Sequence, residues 1–211
     1  MTEAFSANAA WLDRASRLAA RGRALLGIAG QPGAGKSTLA EALRRDLVGR
    51  GVRTALVGMD GFHIAHRALR RLGLVEVKGA PETFDAAGYV ALLRRLRERS
   101  DEVVWAPEFR REIEDAIQSA VPIGHDVRLV ITEGNYLLLD GPWRPVRELL
   151  DEVWYIDVPD AVRRRRLAAR HEFYGRSPAR AWERTLGSDE RNARTVAATR
   201  PRADLIVKLS P

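Results

Sequence analysis

GIAGQPGAGKST, residues 27–38, decides how this chain is read. The apolar run 24–29 (ALLGIA) stops at Gly30 and gives way to a glycine-rich turn that closes on a lysine and two hydroxyls. Beyond it Leu39, Leu43 and Leu47 recur every four residues, the spacing of one helix face. The turn therefore joins a buried strand to a helix. Gly30, Gly35, Lys36 and Ser37 fit the pattern GxxxxGK followed by Ser or Thr, and the strand before and helix after separate a phosphate-binding loop from a plain glycine turn with a solvated lysine. In such a loop glycines let successive N–H groups turn inward around phosphates, and the helix amino terminus adds partial positive charge. The candidate nucleotide contacts are Gly30, Gly33, Ala34, Gly35, Lys36, Ser37 and Thr38, with Lys36 reaching the β and γ phosphates and Ser37 ligating magnesium.

Outward from the loop, residues 6–21 have helical spacing with Ser6 as the expected cap, and 52–58 (VRTALVG) reads as a second strand. A polar stretch runs to residue 84 with a short helix near 65–72, and Tyr89, Leu92, Leu93 and Leu96 mark another helix. Residues 102–106, 127–132, 152–158 and 204–209 read as strands, and 160–171 and 177–199 as helices. Strands alternating with helices imply right-handed crossovers and a parallel sheet covered on both faces. The expectation is an α/β, three-layer P-loop NTPase fold: one domain over 1–211, about five parallel strands flanked by helices, and a small helical lid at about 160–185.

Ligands of open α/β sheets bind at the carboxyl ends of the strands. Asp60 directly follows one predicted strand and Glu133 another. Phosphoryl transfer to an alcohol needs a carboxylate to take the hydroxyl proton and an acidic group beside magnesium. Asp60 is the candidate base and Glu133 the candidate metal-side carboxylate, against the reading of each as a turn cap. In RRRRLAARH, residues 163–171, helical spacing places Arg163, Arg166 and Arg170 on one stripe. They are candidates to close over the phosphates, Arg166 and Arg170 as catalytic groups, the other reading being a solvated basic face or a nucleic-acid patch.

With these residues in view, the chain over about 24–209 resembles the P-loop kinases that include uridine kinase, phosphoribulokinase, plant-type glycerate kinase and type I pantothenate kinase. "DGF" at 60–62 and "KGAPETFD" at 78–85 are similar to pantothenate kinase segments, and together with EGNYLL they are similar to short bacterial proteins loosely called nucleoside/nucleotide kinase-like or fructose-transport-system kinases. The resemblance implies ATP and Mg2+ as cofactors, a small-molecule hydroxyl acceptor and a homodimer. His63, Lys78, Phe109, Arg111 and Tyr136 become candidate acceptor contacts, with Tyr136 equally placed to be core, Lys78 to be a solvated loop lysine, Arg111 to lie on a solvated loop, and His63 read more often as a local hydrogen-bonding residue. Where pantothenate kinase carries a substrate-facing histidine, "APEFRRE" aligns Arg111, and arginine pairs with carboxylate or phosphate in a two-pronged fork. Asn192 and Arg200 are nucleotide-site candidates for which an exposed helix face and a capping arginine are the preferred reading, and Asp85 starts the next helix.

With 45% hydrophobic and 30% charged residues, the composition is that of a globular protein. Neither a signal peptide nor a membrane span is expected, and with no cysteine in the chain a cytoplasmic location is. The net charge of +7 suits small anions as well as nucleic acid, but no nucleic-acid-binding motif accompanies it. A nucleotide-dependent regulatory module or a nucleic-acid-associated ATPase is the alternative. No Asn-Lys-x-Asp guanine-recognition motif and no LSGGQ stretch occurs.

Overall fold

The computed structural model describes residues 5–209. Seven strands form: β1 (Ala24–Gly30), β2 (Thr54–Gly58), β3 (Val103–Arg110), β4 (Asp115–Gly124), β5 (Leu129–Gly134), β6 (Glu152–Asp157) and β7 (Leu205–Lys208). Five of them make a parallel sheet in the order β2-β5-β1-β6-β7, flanked by helices. β1 lies at its centre with all seven residues buried, as an unbroken apolar run between two helical layers requires. Its side chains alternate between two cores. Leu25 and Ala29 pack with Val57, Tyr89, Leu93 and Trp143, while Leu26 and Ile28 pack with Leu39, Leu43, Trp154 and Ile156.

The helices follow the apolar periodicity. α1 (Ala9–Ala20) and α2 (Lys36–Gly49) contribute Leu12, Ala15, Leu39, Leu43 and Leu47 to the second core. After α3 (His66–Leu72), α4 (Ala86–Glu98) buries Tyr89, Val90, Leu92, Leu93 and Leu96 on the opposite face, and Asp85 caps it by accepting from the Gly88 N–H at 2.8 Å. α5 (Arg144–Leu149), α6 (Asp160–Phe173), α7 (Pro178–Arg184) and α8 (Glu190–Ala197) complete the set. No helix of the described residues is long and apolar enough to cross a membrane.

Three expectations are corrected. The strand expected at 102–106 does not join the sheet: as β3 it runs to Arg110 and pairs antiparallel with β4, so 103–124 is a separate hairpin. β4 is largely exposed and carries no apolar run, so alternation does not reveal it. The helix expected at 177–199 is broken at Thr185–Asp189, where one wide turn separates α7 from α8. The first helix is capped by Asn8, whose side chain accepts from the Ala10 N–H at 2.7 Å, in place of Ser6.

The hairpin is seated on the turn after β2. A Cβ on Gly61 would lie 2.6 Å from the Pro107 carbonyl oxygen, and one on Gly134 would lie 2.6 Å from the Met59 Cβ. Both glycines are present because backbone and side chain approach too closely for a methyl group. Gly61→Ala is expected to cost about 1–3 kcal/mol by overpacking, read as a lower urea midpoint with an unchanged slope.

Candidate active site

The parallel register sets Glu133 of β5 opposite Ile28 of β1 and Gly58 of β2. The chain leaves β1 at Gly30 and enters α2 through Gly33 and Gly35, which hold φ of 79° and 96°, in the left-handed region that glycine tolerates. Gly35 is the N-cap residue and supplies no side-chain cap, so the first-turn N–H groups of α2 have no intrahelical acceptor. Ser37 Oγ donates to Glu133 Oε1 at 2.8 Å. Lys36 Nζ donates to the Gln31 carbonyl at 3.2 Å and to Asn135 Oδ1 at 2.6 Å. Thr38 is exposed one residue further on. Burial pushes the Lys36 ammonium below its ordinary value, against the pull of Glu133 and Asp60. Burial also pushes the Glu133 carboxyl up, against the pull of Lys36.

These groups suit a phosphate chain with magnesium. Uncapped amides and a lysine match anionic oxygens, and a hydroxyl with a carboxylate are the hard donors that magnesium takes beside phosphate and water. Among the described residues no cluster of three or more His, Asp or Glu offers a cation a site built from protein alone.

Asp60 lies in the tight turn Met59–Phe62 that follows β2. Arg111 Nη2 donates to Asp60 Oδ2 at 3.1 Å, with the side chains 34% and 30% exposed, and a pair so open to water contributes about 0–1 kcal/mol. Arg110, its neighbour, is solvent-exposed and pairs with Glu108 at 2.8 Å, so the two arginines of the hairpin turn have separate surroundings. His63 Nδ1 donates to the Asp60 carbonyl at 2.8 Å, which leaves Nε2 as an acceptor in the neutral ring. Burial lowers the His63 pKa and so favours that neutral ring. The imidazole packs on Phe84 and Phe109 with centroids 4.0 and 4.7 Å away.

Lys36, Ser37, Asp60, His63, Lys78, Phe109, Arg111, Glu133, Asn135 and Arg170 line one cleft of about 540 Å³. Tyr136 is not among them: it is fully buried and its hydroxyl donates to the Gly79 carbonyl at 2.5 Å, so it holds the 78–80 segment from below. Asn192, expected on an exposed face, is buried, borders the cleft and donates to the same carbonyl at 3.1 Å. Arg200 pairs with Asp157 at 2.9 Å, beside the end of β6. The arginine stripe is split. Arg170 borders the cleft, and Arg166 Nη1 comes within 3.7 Å of where a Gly35 Cβ would stand. Arg163 turns inward instead, 1% exposed, donating to Asp160 and Glu190 at 2.6 Å each. Gly33 lies directly against that turn of α6, where a Cβ would meet the Arg163 carbonyl oxygen at 2.6 Å.

Three residues of the cleft wall carry no signal in the sequence. Arg184 donates to the Glu76 carbonyl at 3.1 Å and to the Lys78 carbonyl, and His171 Nε2 bonds Asp189 at 2.7 Å. Arg184 and Asp189 fall inside a stretch that reads as continuous helix, and only the wide turn at 185–189 brings them to the cleft.

The sequence family described as Methylmalonyl Co-A mutase-associated GTPase MeaB matches residues 3–64, a segment that includes the glycine loop and Asp60 but ends well before Glu133. A Schizosaccharomyces pombe protein provisionally named uridine kinase is 34% identical over 196 residues, which covers 88% of this chain and 83% of that protein. The pantothenate kinase of Mycolicibacterium gilvum is 32% identical over 135 residues, 63% of this chain but 43% of that enzyme. Among solved structures, a Silicibacter sp. TM1040 protein provisionally called a fructose transport system kinase superposes with a TM-score of 0.82 at 40% identity, over 88% of this chain and 90% of that one.

The ion cluster under α6 has a pH signature. The Arg164 and Arg163 guanidiniums hold the Glu190 carboxyl down, to about 2 against 4.5 for the free side chain. A depressed carboxyl stabilises the fold fully above its unfolded pKa, and that contribution disappears as pH falls through the folded value. The difference in urea midpoint between wild type and Glu190→Gln is therefore expected to be constant near neutrality and to shrink between about pH 4.5 and about pH 2.

Proposed function

We propose that this chain, which belongs to the P-loop kinases of the uridine kinase, phosphoribulokinase and pantothenate kinase family, transfers the γ-phosphate of ATP to a hydroxyl of a small metabolite. One observation carries the reading: Lys36, the Ser37–Glu133 pair and Asp60 face a single cleft at the carboxyl ends of three adjacent parallel strands. In this reading the loop amides from Gly33 to Thr38 cradle the phosphates, and Lys36 exchanges Asn135 for phosphate oxygens. Ser37 and Glu133 would hold magnesium, which would neutralise charge on the phosphate oxygens.

Asp60 takes the proton of the acceptor hydroxyl as that oxygen bonds to the γ-phosphorus. The bond from phosphorus to the bridging oxygen breaks, and ADP leaves. Arg166 and Arg170, from a lid spanning about 160–185, spread the charge of the transferring group. His63 Nε2, Phe109, Lys78 and Arg111 line the acceptor side.

Lys36→Ala is expected to abolish acceptor-dependent ADP release. Asp60→Asn is expected to cut it by about 10²-fold or more with nucleotide affinity by calorimetry nearly unchanged. Near-normal turnover in Asp60→Asn removes the base from this mechanism.

A further inference from the structure

Lys78 and Arg111, two cations on the acceptor side of the cleft, are loosely paired although Glu112 and Glu114 also border it. Lys78 is only 12% exposed, yet its ammonium meets a backbone carbonyl, that of Glu114 at 2.5 Å, while the Glu114 carboxylate stands off at 3.9 Å and is 61% exposed. An ammonium withdrawn from water needs a closer anion than that. Arg111 makes one bond to Asp60 from a group with five donors, so most of its fork is free. Both cations lie near the Phe109 ring, Lys78 Nζ at 5.4 Å and the Arg111 guanidinium carbon at 5.7 Å from its centroid, and both line the same cleft. His63 packs on the same ring, where burial favours its neutral form.

Arg111 occupies one of the two carboxylate oxygens of Asp60, an oxygen that could otherwise take a hydroxyl proton. We propose, building on the kinase reading, that the acceptor carries an anionic group, a carboxylate or a phosphate, which seats between Arg111 and Lys78 and in doing so draws Arg111 away from Asp60. The base is thereby opened more fully when the right acceptor is present. Until then the ion pair occupies Asp60 and restrains transfer of the phosphoryl group to water. The pair is suited to exchange, being open to solvent and screened.

The test measures ADP release by the full chain with matched acceptors that differ in the anion: pantothenate against pantothenol and glycerate against glycerol for a carboxylate, ribulose 5-phosphate against ribulose for a phosphate. The expected result is that only the charged member of a pair stimulates release, and the responding pair identifies the anion. Arg111→Gln then raises KM for that acceptor about tenfold or more, Arg111→Lys restores part of it, and KM for ATP stays unchanged. A second arm needs no acceptor: Arg111→Gln is expected to raise background ATP hydrolysis about threefold or more, and the rise is lost in the Arg111→Gln, Asp60→Asn double variant. Equal use of neutral acceptors, or a background unchanged by Arg111→Gln, overturns the proposal. If those results come with turnover that still requires Lys36 and Asp60, the kinase reading stands without it. Indifference to both Lys36→Ala and Asp60→Asn overturns the two together.

Discussion

The parallel pairing of β5 between β1 and β2 is the constraint on which the cleft depends, because it brings the glycine loop, Glu133 and Asp60 to one edge of the sheet. The contact that reports it is the 2.8 Å hydrogen bond from Ser37 to Glu133, residues 96 apart in sequence. A one-residue slip would turn Glu133 to the other face of β5. The register is secured just below by a fully buried chain of bonds. Tyr89 of α4 donates to Thr132 at 2.6 Å, and Thr132 donates to the Val57 carbonyl at 2.7 Å, so one helix and two strands are tied together a residue short of the acid. Leaving any of these polar groups unpaired in the core would cost about 1–3 kcal/mol.

Above the sheet the cleft is closed by elements that have no strand to hold them: the β3-β4 hairpin, the 75–80 segment and the helices after β6. Each is fastened by close approach or by buried polar contacts. Gly61 admits the backbone of Pro107, and Gly33 admits that of Arg163. Tyr136 from below and Asn192 from above converge on the Gly79 carbonyl, and Arg184 reaches across to the carbonyls of Glu76 and Lys78. This side of the cleft is thus shaped by contacts between segments far apart in sequence, and its charges are placed by the same contacts.

Charge within the cleft is poised against its surroundings. Lys36 and Glu133 are both pushed toward their neutral forms by burial, and the opposing pull on each comes chiefly from the other and from Asp60 or Ser37. Phosphates and a divalent cation would relieve that burial cost, which is the electrostatic sense in which such a site is prepared for its ligands. Arg163, by contrast, spends its charge inside the protein. Its bond to Glu190 joins α6 to α8 and keeps α6 beside the glycine loop.

The sequence by itself determined the parts that local pattern encodes. The apolar run of β1, the glycine spacing that follows and the four-residue recurrence in α2 are sufficient for a strand, a phosphate-type loop and a helix, because each is stabilised by neighbours close along the chain. The acids at the ends of β2 and β5 were legible for the same reason: a strand that stops marks its own carboxyl end. Tertiary structure alone decided the rest. The hairpin at 103–124 has an exposed second strand without alternation, and the wide turn at 185–189 has no sequence signature. Arg163, Arg166 and Arg170 share a helix stripe, yet the first is sealed into an ion cluster and the last opens on the cleft. Tyr136, Asn192 and Arg184 take their places from the shared carbonyls of 76–79. Those bonds span 57 to 113 residues, and a pattern read along the chain holds no record of partners so distant.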